Sequence, residues 1–163
     1  MVNLNMLKFS KNIIPLLEQQ LTRVLKCKIL PEGTYLAGGT AVYFYLKHRM
    51  SVDLDFFTRD EFSSEVFVHA MRGCFDEVVV ELLGKDTVIT YIGPEKLKFS
   101  LFHLPYRLLN SAYEMSFGEG VFCPLASLND ITAMKAVAIN QKRLCKGFCG
   151  SLFHTAKSEA KFQ

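Results

Sequence analysis

No run of about eighteen consecutive apolar residues occurs in the chain, so no membrane-spanning helix is expected. The first fifteen residues are interrupted by Lys8 and Lys11 and do not read as a signal peptide. A cytoplasmic protein with no membrane partner is the expectation. Basic runs that would mark a nucleic-acid-binding tail are also missing, and the net charge is a mild +3, which permits contact with a nucleotide or RNA without demanding it. The five cysteines, Cys27, Cys74, Cys123, Cys145 and Cys149, are odd in number and irregularly spaced, which argues against a disulfide framework. Cys145 and Cys149 lie four apart without a second ligand pair nearby, so a zinc site is not expected there. There is no internal repeat and no low-complexity segment.

What is present is a chain of 163 residues, half of them hydrophobic, enough for one domain with a real core or one domain plus a helical appendage. Residues 5–26 carry apolar side chains at helical spacing, with Pro15 marking either a kink or a break between two helices. A short apolar run, Tyr35–Ala37, ends at Gly38-Gly39-Thr40, and Ala41–Lys47 again reads as helix. Asp53–Thr58 alternates acidic and apolar residues and reads as an edge strand. Glu61–Cys74 reads as helix. Glu77–Leu83 and Thr87–Ile92 read as strands around a Gly84-Lys85-Asp86 turn. Lys96–Leu104 is a further strand, Phe117–Gly120 a turn, and Val121–Ala126 a short strand. Ser127 caps a last helix, Leu128–Asn140, with Asp130 in its first turn. The order predicts an α/β (α+β) fold, a small mixed sheet flanked by helices. The expected division is a domain over 1–126 with an N-terminal helical segment, followed by the start of a helical C-terminal part over 127–163.

The chemistry concentrates between residues 38 and 55. A strand ending in Gly38-Gly39 lets the backbone approach a bound group, and the helix that starts there offers free N–H groups to phosphate oxygens. The Thr40 hydroxyl adds a donor. Residues two apart on a strand share a face, so Asp53 and Asp55 present two carboxylates side by side while Leu54 turns into the core. Two carboxylates on a rigid strand suit Mg²⁺, which prefers hard oxygen ligands shared with substrate phosphates. A nucleoside triphosphate held at the glycines and bridged by metal to the Asp pair is the picture these residues assemble. His48 and Arg49 precede the pair, where they would position a polyphosphate, although Arg49 taken alone reads equally as a surface residue.

The stretch LAGGTAVYFYLKHRMSVDLDFF resembles the signature of the nucleotidyltransferase family that contains the AbiEii-type abortive-infection toxins, of the polymerase-β-like fold. There a Gly-Gly-Thr turn precedes a His-Arg-x-Ser-x-Asp-Leu-Asp-Phe segment, here His48–Phe56. Lys98–Phe102 followed by Pro105-Tyr106, and Leu125–Ile131 followed by Ala133-Met134-Lys135, are similar to later family segments; the likeness runs from about Tyr35 to Asn140. The resemblance implies Mg²⁺-dependent transfer of a nucleotide from an NTP as the toxin half of a toxin–antitoxin pair, with a cognate antitoxin as partner and tRNA as the acceptor for some members. It implies catalytic roles for Asp53, Asp55 and Lys135, with Lys135 reaching the nucleotide phosphates or else snorkelling at a helix edge. Lys98 is either a phosphate contact or a solvated strand lysine.

Two departures point the other way. Polymerase-β-type sites commonly use a third carboxylate on the neighbouring strand, and the matching position is Ser100, a poor Mg²⁺ ligand. After Asn140 the family's Arg-Gly turn, Lys-Asp and helix bearing a second Asp are absent. Codons for Gln141–Leu152 can be chosen so that reading one base later gives KRGFAKDFVDL, in the family's order, as a one-base shift near Asn140 would produce. The tail after about 140 is therefore expected to be aberrant and poorly packed. The alternative to an active transferase is a catalytically inactive remnant that only binds a nucleotide or a partner, and a third reading is a purely structural interaction domain.

Overall fold

The computed structural model describes residues 4–47, 51–118 and 120–139, with side chains described from Ile14 onward. The expected tail after 140, with Cys145 and Cys149, lies outside the described residues, as do His48 and Arg49.

The chain opens with helix α1, Leu4–Lys26, which runs through Pro15 as one helix rather than two. Strand β1 (Tyr35–Ala37) leads directly into α2 (Gly38–Leu46). Next come β2 (Leu54–Thr58), α3 (Ser64–Cys74), the strands β3 (Val78–Gly84), β4 (Thr87–Ile92), β5 (Leu97–His103), β6 (Tyr113–Ser116) and β7 (Phe122–Leu125). A fourth helix, α4, occupies 128–139. The strands form one mixed seven-stranded sheet in the order β3-β4-β5-β2-β1-β7-β6. Strand β2 pairs antiparallel with β1 and parallel with β5, and β1 pairs parallel with β7.

Strand β2 is thus the middle strand, which corrects the expectation of an edge. Leu54, Phe56 and Thr58 are fully or almost fully buried, and the intervening Asp55 and Phe57 are half-buried. The alternation of acid and apolar residues separates two protein-facing sides of a central strand; it does not separate core from bulk solvent.

One sheet face carries the core. Leu36, Leu54, Phe56, Val88, Ile92, Phe99, Leu101 and Leu125 are buried there with Leu17, Leu21 and Val24 of α1 and Phe67, Val68 and Met71 of α3. Phe67 stacks on Phe99 at 5.8 Å between ring centroids, which fixes α3 against β5. Helix α3 starts where the Ser63 hydroxyl accepts from the Val66 amide. The opposite face follows from the register. Phe57 stands beside Tyr35 and Phe102, with centroids 6.0 and 5.3 Å away, and one step along the strands Ala37, Asp55 and Ser100 lie in a row.

Helix α4 begins as expected at Ser127, whose hydroxyl accepts from the Asp130 amide at 3.1 Å and donates to the Asp130 carboxylate at 2.5 Å. That carboxylate also accepts from the Leu109 and Asn110 amides, so the first turn of α4 anchors the loop between β5 and β6. No described helix is long and apolar enough to cross a membrane.

Candidate functional site

The corner where β1 becomes α2 is shaped by what it must clear. Ala37 is the last extended residue (φ −135°, ψ −151°), and Gly38 then adopts φ +69°, a conformation that favours glycine. A Cβ on Gly38 would lie 2.6 Å from Oδ2 of Asp55. A Cβ on Gly39 would lie 2.7 Å from the Ser51 hydroxyl and 2.9 Å from its Cβ. Of the two glycines it is Gly38, not Gly39, that needs the positive φ. Both are backbone held close to side chains that follow later in the motif, and any larger residue would push Asp55 or Ser51 away.

Leu54 is fully buried, and Asp53 and Asp55 are half-buried on either side of it; β2 begins at Leu54, so Asp53 stands just before the strand. Burial pushes the Asp55 carboxyl above the usual carboxylate range, a hydrogen bond from Ser100 opposes this, the Asp53 charge adds to the rise, and the Lys98 charge opposes it. The Asp53 charge thus acts on Asp55 as a like charge, which a shared cation would relieve.

The Thr40 hydroxyl departs from expectation. Thr40 is fully buried, and its Oγ1 donates to the main-chain carbonyl of Asp53 at 2.5 Å. It does not point out of the turn as a phosphate donor would; it ties the first turn of α2 to the residue that opens β2. Tertiary packing decides this, because the β1–β2 pairing (Ala37 opposite Asp55) brings the start of α2 over the entry of β2.

Ser100 sits directly beside Asp55 on the parallel neighbour β5, at the position where the expected third carboxylate would stand, and it is almost fully buried. Lys98, two residues earlier, is on the same face, half-exposed, with its Nζ 3.7 Å from Oε2 of Glu81 on β3. Sequence reasoning passed over Glu81 and Tyr91. The register places Tyr91 opposite Lys98, and the Glu81 carboxylate close by raises the pKa of the Tyr91 hydroxyl. Lys135 is exposed on α4 and forms no ion pair among the described residues. The structure thus brings Gly38, Gly39, Ser51, Asp53, Asp55, Lys98 and Ser100 to one corner and keeps Thr40 beneath it.

Among the described residues no group of three or more His, Cys, Asp or Glu side chains is arranged to hold a metal ion. Two adjacent carboxylates beside a glycine-walled space still fit Mg²⁺, which usually takes one or two protein carboxylates and completes its shell with water and substrate phosphate.

Comparison with known proteins bears on this corner. The family described as "Nucleotidyl transferase AbiEii toxin, Type IV TA system" matches residues 19–146, which include every residue of the corner. The chain belongs to the AbiEii nucleotidyltransferase family. An uncharacterized protein of Aquifex aeolicus (strain VF5) is 38% identical over 115 residues, which cover 70% of this chain and 53% of that protein. The chain therefore spans about half the length of that relative. The crystal structure of a candidate nucleotidyltransferase from Thermotoga maritima superposes with a TM-score of 0.56 over 84% of this chain and 94% of the other, at 12% identity. That likeness is one of fold, and the fold is the nucleotidyltransferase fold.

Proposed function

We propose that this AbiEii-family chain binds a nucleoside triphosphate with Mg²⁺ at the Gly38–Asp55 corner and transfers a nucleotide from it to an acceptor. The observation that supports the reading is a pair of half-buried carboxylates, Asp53 and Asp55, flanking the buried Leu54 beside a helix N-terminus whose two glycines leave room for the Asp55 carboxylate and Ser51. The α2 amides are oriented to receive phosphate oxygens. Asp53 and Asp55 would hold the metal, which when bound neutralises charge on the transferring phosphoryl group and lowers the pKa of a bound hydroxyl. Lys98 would neutralise phosphate from the neighbouring strand, and Thr40 acts from below by holding Asp53 in place. Arg49 and Lys135 are proposed as phosphate contacts on the family resemblance alone.

The family's toxin–antitoxin description supports a cognate antitoxin protein as partner. An RNA acceptor such as tRNA, a cytoplasmic setting and a division near 126, with α4 opening a helical C-terminal part, belong to the same proposal.

Thermal denaturation with and without Mg²⁺ and NTP tests the binding step, since a ligand that binds the folded form raises Tm by an amount that grows with the logarithm of its concentration over Kd. Transfer of labelled NTP to an RNA pool tests turnover. The buried Ser100, occupying the place of a third carboxylate, favours a second reading: a catalytically inactive member of the fold that binds nucleotide without transfer. Mg²⁺- and NTP-dependent stabilisation without label incorporation is its signature. Absence of any nucleotide effect leaves the structural interaction domain.

A further inference from the structure

Lys98 faces a choice of carboxylates. Its charge acts on Asp55 on one side, and its ammonium lies 3.7 Å from Glu81 on the other. An ammonium drawn onto the Asp pair would neutralise the charges that attract a divalent cation and occupy the space that cation needs.

Glu81 reaches Lys98 through a local irregularity. The β3–β4 register shifts between Val80 and Leu82: Val80 is opposite Thr90 and Leu82 opposite Ile89, so Glu81 is an extra residue with no cross-strand partner. Its carboxylate instead meets the Lys98 ammonium two strands away, at 3.7 Å. Tyr91 lies between them in the sheet, directly opposite Lys98. A bulge beside a proposed site is the kind of feature that re-aims a side chain.

We infer that Glu81 is a positioning residue that holds the Lys98 ammonium away from the Asp53–Asp55 pair and so keeps both carboxylates open to a divalent cation. The inference rests on the reading of that pair as the metal-holding group. Phosphate arriving with the metal then takes over the ammonium from Glu81, and Lys98 is free to neutralise substrate only when substrate is present.

The test is Mn²⁺ binding to the nucleotide-free protein, followed by electron paramagnetic resonance of the free ion at low ionic strength. Four proteins form a cycle: the unaltered chain, Glu81→Gln, Lys98→Met and the double variant. Glu81→Gln is expected to weaken Mn²⁺ binding about threefold, the scale of an exposed ion pair. Lys98→Met is expected to tighten it, and Glu81→Gln is expected to have no further effect in the Lys98→Met background. A Glu81→Gln loss that persists without Lys98 means that Glu81 acts only through its negative field, and it overturns the proposal. So does an unchanged affinity in Glu81→Gln alone. Glu81→Asp, which keeps the charge and much of the reach, is expected to recover part of the loss. Asp53→Asn and Asp55→Asn are read separately: Mn²⁺ affinity unchanged in both removes the premise, whatever the cycle gives.

Discussion

Oδ2 of Asp55 occupies the space into which a Cβ on Gly38 would project, 2.6 Å from where that atom would be. Gly38 also stands at φ +69°. The two constraints can be separated, because Gly33 has the same φ of +69° with nothing within 4 Å of a Cβ built there. Gly33→Ala should therefore show the backbone cost alone, about 1 kcal/mol. Gly38→Ala should cost clearly more, about 2–3 kcal/mol, and should also displace the carboxylate. Chemical denaturation gives both values, and Mn²⁺ binding should fall in Gly38→Ala and stay unchanged in Gly33→Ala. Equal destabilisation of the two variants with equal metal affinity would refute the steric link between Gly38 and Asp55.

The Asp55 carboxyl is pushed above its usual range mainly by burial, with the Asp53 charge adding to the rise. A carboxyl with a raised folded-state pKa binds more protons folded than unfolded between the two pKa values, so stability falls as pH rises through that window. Asp55→Asn should remove this penalty. Without metal the variant is expected to have a higher Tm than the unaltered chain at neutral pH, and the two should converge below the unfolded carboxylate pKa. With Mg²⁺ the order should narrow or reverse, since only the unaltered chain gains from the ion. Transfer activity should be lost. A Tm for Asp55→Asn that is lower at neutral pH without metal would contradict this account.

Thr40 tests a distinction that sequence alone did not make. If its hydroxyl serves the Asp53 carbonyl, Thr40→Val keeps the shape, loses the bond and leaves a part-buried carbonyl short of a donor, at a cost of about 1–2 kcal/mol. Thr40→Ser should retain most of the stability. A direct phosphate contact would give the opposite pattern, with stability unchanged and nucleotide affinity reduced. Denaturation midpoints and nucleotide titration on the same two variants decide between them.

Much of the corner was legible because it is local. Gly-Gly after a three-residue apolar run, and Asp-x-Asp around a leucine, predict the turn and the burial of Leu54 between two half-buried acids from backbone periodicity alone, and Tyr35–Ala37 and Thr87–Ile92 coincide with β1 and β4. What escaped depended on partners far along the chain. Strand β6 offers no alternation to read, since three of its four residues are exposed. The central place of β2 follows from parallel pairing with β5, more than forty residues later, and nothing within Asp53–Thr58 encodes it. The hydroxyl of Thr40 was assigned to the open side of the turn, whereas the Ala37–Asp55 pairing turns it inward. Glu81 was invisible because the bulge that frees it exists only in the register with β4.

Asp130 was read as an ordinary first-turn acid, and the structure makes it the residue that fastens α4 to the sheet's connecting loop. It is 3% exposed and accepts from the Ser127 hydroxyl and the Leu109 and Asn110 amides. Burial pushes its carboxyl up, but these hydrogen bonds outweigh burial and hold the group below the usual carboxylate range. A depressed folded-state pKa contributes stability that is present above the unfolded value and is lost as pH falls through the folded value. Asp130→Ala removes the acceptor and leaves two loop amides and the Ser127 hydroxyl without it, at an expected cost of about 2–3 kcal/mol at neutral pH. Asp130→Asn keeps one acceptor oxygen and should cost less. The difference in stability between the unaltered chain and Asp130→Ala should shrink as pH is lowered below about 4, because the protonated carboxyl is a weaker acceptor. Urea denaturation across pH 3 to 7 measures it. Hydrogen exchange at the Leu109 and Asn110 amides should rise with the same loss. A pH-independent difference, or protected amides in Asp130→Ala, would show that the loop is held by other contacts.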